Sequence, residues 1–208
     1  MARLFSVKPP IKLKGRKFRG VRGWAGKPTH PPLTDFPIAA YTLAAAFDVI
    51  SYIAAKGSDY GVSSLAHDSF VAGTYTMIGG AVLSLGAAIT GFWDWWKGID
   101  REPKGWLGRA KHTQVWRTIN WHATVMLTVT AIVAVDIVVR LSQYGRHYAS
   151  LGVMILSVVA GILVLYGSFY GGSLVYDYQF NIESLEGSTV WDETERDQMP
   201  AEHGESEW

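Results

Sequence analysis

Four long apolar stretches, at roughly residues 36–56, 70–93, 118–139 and 149–170, constrain this chain more than anything else in its 208 residues. Each is about 20 residues long, the length of helix needed to cross a hydrocarbon layer about 30 Å thick. A soluble helical bundle would need charged outer faces on these segments, and none of them has one. Two of the stretches are rich in small residues. Gly80, Ser84 and Ala88 recur every fourth position in the second, and Ser157 and Gly161 do so in the fourth. In water such residues weaken a helix, whereas in lipid they let helix backbones approach closely. The sequence therefore predicts an all-α fold, a four-span transmembrane helical bundle.

Charge divides the remainder. Residues 1–27 carry nine basic side chains and no acidic one, and residues 181–208 carry nine acidic side chains against Arg196 alone. The formal net charge of +1 is a cancellation between these two ends. The predicted organisation is a basic arm over 1–28, a four-helix transmembrane domain over 29–178 and an acidic tail over 179–208. Lys97, Arg101, Lys104, Arg109, Lys111 and Arg117 crowd the link between spans two and three, while the other two links hold few basic residues. By the positive-inside rule both termini and this central link are cytoplasmic. Trp93, Trp95, Trp96, Trp106, Trp116 and Trp121 gather at the same face, as an interfacial aromatic belt does. No cleavable signal peptide is legible, so the spans themselves are expected to place the chain in a bacterial plasma membrane as a multi-pass protein. With no cysteine, disulfides and thiolate-ligated clusters are excluded within this chain.

Ionisable residues inside spans are costly and face the bundle interior. In span three, His122 and Arg140 lie eighteen residues apart, five full helical turns, and Asp136 falls about 40° from both. One stripe of the helix thus carries every ionisable group it has. Asp136 and Arg140 form an acid-then-base pair four residues apart. Asp48 sits about 18 Å into span one, at 1.5 Å per residue, and so at the depth of Arg140. The economical reading is a structural ion cluster of Asp48, Asp136 and Arg140 that fixes how spans one and three pack. A protonated Asp48 serving proton movement is the alternative.

The lead-in HPPLTDFP, residues 30–37, reads as a rigid segment at the membrane surface, with Pro37 in the first turn of span one. Asp94 closes span two at that surface, and His122 begins span three near it. His30, Asp35, Asp94 and His122 then form a candidate set for a divalent metal such as zinc, iron or manganese. The plain alternative is a hydrogen-bonded clamp. A second ligand reading makes His30 and His122 cofactor-binding residues, the axial ligands of a haem b. His67, His112 and His147 fall in predicted loops and read as solvated. No catalytic nucleophile–base pair, phosphate-binding loop or nucleic-acid motif is present, so an enzymatic activity is neither indicated nor excluded. The basic arm is expected to meet anionic lipid or a protein partner, and the acidic tail a protein partner, with no nucleic acid involved.

Several of these residues also carry a likeness. His30-Pro31 followed by Phe36-Pro37, Asp48, the Gly91-x-x-Asp94-Trp95 run, His122-Ala123, Arg140 and Gly171-Gly172-x-Leu174-Val175 resemble a bacterial family of four-helix membrane proteins of unknown function, in its actinobacterial form. Some relatives carry a fused Rieske-type domain, so the resemblance implies a redox setting. Where many relatives have a second histidine, this chain has Asp35. The expected function is an accessory or redox-associated subunit of a membrane complex. The alternative is a small metal- or haem-binding membrane redox protein using His30 and His122. A transporter fits less well, because neither an internal repeat nor a broken span is visible.

The charge pattern makes a direct prediction. A reporter active only in the cytoplasm gives signal when fused after Trp208 or within Pro103–Gly108, and none near Gly61 or Gly145. Signal from Gly61 would reverse the topology.

Overall fold

The computed structural model describes residues 21, 28–58, 63–98 and 114–180. Nearly all of the basic arm, the central link and the acidic tail lie outside these residues. The described chain forms four long helices: α1 (His30–Gly57), α2 (Ser64–Gly98), α3 (Gln114–Ser142) and α4 (Leu151–Tyr176). A single 3-10 turn, Tyr144–Arg146, precedes α4. All four are long and apolar enough to cross a membrane. The end of the bundle where α1 begins and α4 ends is called proximal here, and the end where α1 passes to α2 and α3 to α4 distal. α1 packs against α2 and α4, and α3 packs against α4; of the neighbouring long helices α2 and α3 touch least.

The bundle is apolar outside, and its interior sets a polar cluster within an apolar core of Tyr41, Ala44, Met77, Val129, Val133, Ala160 and Val164. Ile53, Ile89, Val138, Ile162 and Phe169 are exposed, while Asp48, Ser51, Asp136, Arg140 and Ser157 are fully buried. An apolar exterior of this kind suits a bilayer, because the lipid accepts the apolar face and the buried polar groups bond to one another. Threonine hydroxyls on the helices return to the carbonyl four residues back, as Thr74 does to Phe70 and Thr128 to Thr124. Each such bond leaves no unpaired hydroxyl for the lipid to meet. Close packing relies on missing side chains. A Cβ built at Gly80 would stand 2.7 Å from the Ala40 Cβ, so α1 and α2 approach there only because position 80 is glycine.

The helices run further than the sequence suggests. Pro31 and Pro32 do not form a non-helical lead-in; α1 starts at His30 with proline in its first turn, where the missing N–H is no loss, and Pro37 lies inside the helix. Asp94 does not end α2, which continues to Gly98. Gly171 and Gly172 do not stop α4, which runs on to Tyr176. Glycine breaks helices chiefly where water competes for the backbone, and Gly171 sits against His122 of α3 instead.

Arg140 lies at the centre of the polar interior. Its Nη2 donates to Asp48 Oδ2 at 2.5 Å and to Asp136 Oδ2 at 2.9 Å. Its Nη1 donates to Asp48 Oδ1 at 3.0 Å and to Thr74 Oγ1 at 3.3 Å. The Phe70 ring caps the guanidinium at 5.7 Å. One side chain of α3 thereby binds α1 through a two-pronged ion pair and α2 through Thr74 and Phe70. At the distal end Ser51 repeats this on a smaller scale, donating to Ala66 O at 2.6 Å and accepting from Ala149 N at 3.0 Å.

Removing one partner of a buried ion pair costs about 3–5 kcal/mol, because the other charge is left without compensation. Arg140→Leu is therefore expected to lower stability in detergent by about that amount. Adding Asp48→Asn and Asp136→Asn should recover part of the loss. An unaltered melting temperature in Arg140→Leu would show that the cluster does not hold the bundle.

Candidate functional site

His30 stands at the first position of α1, and the chain ahead of it is tied down. Thr29 N and Oγ1 donate to Val21 O at 3.1 and 3.0 Å, and Val21 N donates to Asp94 Oδ1 on α2 at 3.0 Å. The His30 ring crosses to α2, where its Nδ1 is 2.9 Å from Ala87 O and 3.4 Å from Thr90 Oγ1. A Cβ at Gly91 would lie 2.5 Å from the ring's Cε1, so the ring occupies space that only glycine leaves open.

His122, early in α3, makes the same arrangement with α4. Its Nδ1 is 2.9 Å from Gly167 O, and a Cβ at Gly171 would lie 3.2 Å from its Cε1. In both cases the ring bonds to a carbonyl on the neighbouring helix and rests on a glycine one turn further along. A backbone carbonyl can only accept a hydrogen bond, so Nδ1 carries the proton in each ring. Each Nε2 then presents a bare lone pair, the form in which imidazole binds a metal. Both rings are half-buried. Among the described residues neither Nε2 is hydrogen-bonded, and neither is sealed from solvent. The two imidazoles sit at the proximal end, one on each helical hairpin.

The other two members of the four-residue metal set are not brought to these rings. Asp35 lies five residues beyond His30 on a helix, about 140° round the axis, which turns it away. It is exposed and borders a shallow surface groove with Phe36, Ala39 and Gly79. Asp94 is buried and takes the Val21 N–H, so it anchors Val21 to α2. Among the described residues no three His, Asp or Glu side chains are grouped to hold a metal ion. The set assumed a bent lead-in at residues 30–37, and a regular helix there separates its members.

Sequence reading missed what supports the rings: Ala87 O, Gly167 O, Gly91 and Gly171. Backbone carbonyls leave no mark in a sequence, although the glycine one turn beyond each is visible. It also missed the indole of Trp95, four residues past Gly91, whose Nε1 is buried with no partner among the described residues. An orphan donor in that position is unusual, since buried polar groups are nearly always paired.

The family model described as "Predicted membrane protein (DUF2231)" matches residues 26–184, which take in all four helices and both imidazoles. The chain belongs to this family. No curated protein and no solved structure matches it. Membership of DUF2231 agrees with four spans in a bilayer and assigns no activity, so the reading of the DUF2231 site rests on its own geometry.

Filling the glycine spaces tests that geometry. Gly91→Ala should expel the His30 ring from Ala87 O and cost about 1–3 kcal/mol, the usual range for overpacking. Gly171→Ala should cost less, since its Cβ would stand further from the His122 ring. Thermal unfolding in detergent measures both, and a reversed order would mean that the rings do not rest on these glycines.

Proposed function

We propose that this protein is a membrane redox protein in which His30 and His122 are the axial ligands of a haem b. The observation that carries the reading is the matched pair of imidazoles, each with Nδ1–H committed to a backbone carbonyl and Nε2 left open. Histidines that bind metal characteristically donate their other ring N–H in this way, which fixes the tautomer and raises ligand basicity. A metal ion alone would need a third and fourth side chain, and the site offers none. A haem iron takes four nitrogens from the macrocycle and needs only two from the protein, one on each face. Cofactor sites in helical bundles are built in this manner, from side chains on facing helices.

One further feature favours a planar ligand. The seam between α2 and α3 is the loosest in the bundle, so the two imidazole-bearing hairpins are least closed there. When bound, haem would supply one-electron chemistry; the residues named here bind it, orient it and set the electron density on its iron. With both termini cytoplasmic in a plasma membrane, the site lies near the cytoplasmic surface. There the basic arm and acidic tail serve as docking elements for anionic lipid and for the redox partners of a larger complex. This makes the accessory-subunit role and the haem role one function.

The test is to purify the full chain in mild detergent from cells supplied with haem precursor and record visible spectra. A Soret band with the sharp α and β bands of a six-coordinate reduced haem is expected. His30→Ala and His122→Ala should each abolish it, and the double variant should be no worse than either, because ligands acting as a unit do not add. A wild-type protein that takes up no haem even when hemin is supplied would sink the proposal. The same rings would then be a clamp between hairpins, and each alanine variant would only lower stability.

A further inference from the structure

The charged cluster that joins α1 to α3 does not balance. Asp48, Asp136 and Arg140 are all fully buried, so two carboxylates share one guanidinium. Fully ionised, the three carry one net negative charge. A surplus charge sealed from water is far more costly than a neutral pair, because its lost hydration has no counter-charge to replace it.

No second cation meets either carboxylate among the described residues. On α1, Lys56 is exposed near the distal end. On α2, Lys97 lies in the last turn. His67 lies in the first turns of α2 rather than in a loop, and its ring rests on that of His147. Arg146 and His147, between α3 and α4, are exposed. α4 has no charged side chain, and its tyrosines, Tyr166, Tyr170 and Tyr176, lie in its proximal half. What α2 brings to the cluster is neutral: the Thr74 hydroxyl and the Phe70 ring.

The two carboxylates are held differently. Asp48 accepts from the guanidinium with both oxygens, at 3.0 and 2.5 Å. Two-pronged bonding of this kind favours the ionised form. Asp136 accepts with Oδ2 alone, at 2.9 Å, and its Oδ1 is buried with no partner among the described residues. A charged oxygen left in that state costs more than a neutral one. Asp48, which the sequence offers as a proton carrier, is therefore less suited to the part than Asp136.

We propose that this cluster is a proton-binding site, in which Asp136 Oδ1 holds one proton beside the Asp48–Arg140 ion pair. The cluster is then neutral, and Asp136 Oδ2 still accepts from Arg140 as the carbonyl oxygen of the acid. A metal ion would need several ligands to restore the balance, and among the described residues no three His, Asp or Glu side chains are grouped to supply them. A proton needs one oxygen. Its loss leaves a bare charge between α1 and α3, so the packing of those helices depends on its being bound. None of this rests on haem at the proximal end.

Infrared spectroscopy of the full chain in detergent at neutral pH tests the proposal. Subtracting the spectrum of Asp136→Asn cancels every other carboxyl group, Asp94 included. The difference should show the carbonyl stretch of a protonated carboxylic acid, moving to lower frequency in heavy water. Asp48→Asn should lose the same band, since one carboxylate then balances one guanidinium. A carboxylate band in place of the acid band, or an acid band that survives Asp48→Asn, overturns the proposal. Thermal unfolding assigns the proton, because an amide imitates a neutral acid and not a carboxylate. Asp136→Asn should unfold at the wild-type temperature and Asp48→Asn clearly below it. The reverse order, or equal losses, would overturn the assignment to Asp136.

Discussion

Everything in this bundle is arranged around one buried guanidinium. Arg140 reaches α1 through Asp48 and α2 through Thr74 and Phe70, while Asp136 steadies it from one turn back on its own helix. In a low-dielectric interior these charges are tolerable only in one another's company, so the helices that carry them have a single acceptable register. Apolar packing between membrane helices supplies no comparable constraint, because lipid tails are as apolar as leucine. The cluster therefore sets the axial positions of α1 and α3, and with them the level at which His30 and His122 stand.

The registration has a consequence for the site. His30 lies eighteen residues before Asp48, and His122 eighteen before Arg140. Eighteen residues are five turns, so each histidine shares a face with the charged residue it precedes. Locking Asp48 to Arg140 thus brings both imidazoles to one level on one side of their helices. The ion pair and the histidine pair therefore share one spacing on two helices. Stability at the bundle centre and ligand geometry at its proximal end are coupled through rigid helices.

The glycines complete the arrangement. Gly91 and Gly171 leave hollows that the imidazoles fill, while Gly80 lets α1 and α2 meet with Ala40 and Tyr41 between them. Each absent side chain either seats a ring or shortens an interhelical distance. Hydroxyls such as those of Thr74, Thr128 and Thr130 are folded back onto their own helices. Among the described residues the buried side-chain atoms left without a partner are those of Trp95, His67 and Gln143, and Asp136 Oδ1 and Arg140 Nε in the central cluster.

Periodicity and charge distribution were enough to establish four membrane-spanning helices and to single out Asp48, Asp136, Arg140, His30 and His122, because the length of an apolar run and the cost of a buried charge are local properties. What failed at that level was whatever depended on the neighbouring helix. Whether prolines 31, 32 and 37 begin a helix or bend away from it, and whether Gly171 ends one, turned on what packs beside them. Asp35 left the proposed metal set for the same reason: a regular α1 rotates it to the far side of His30. The carbonyl partners of the imidazoles and the contact of His67 with His147 join residues 45 to 80 positions apart. No local pattern encodes such pairings, since the partners lie on different helices. The sequence determined that this chain lies in a bilayer and which of its residues would be costly there. Only the packing of four helices decided which of those residues meet, because the energy that pairs them exists only once they are in contact.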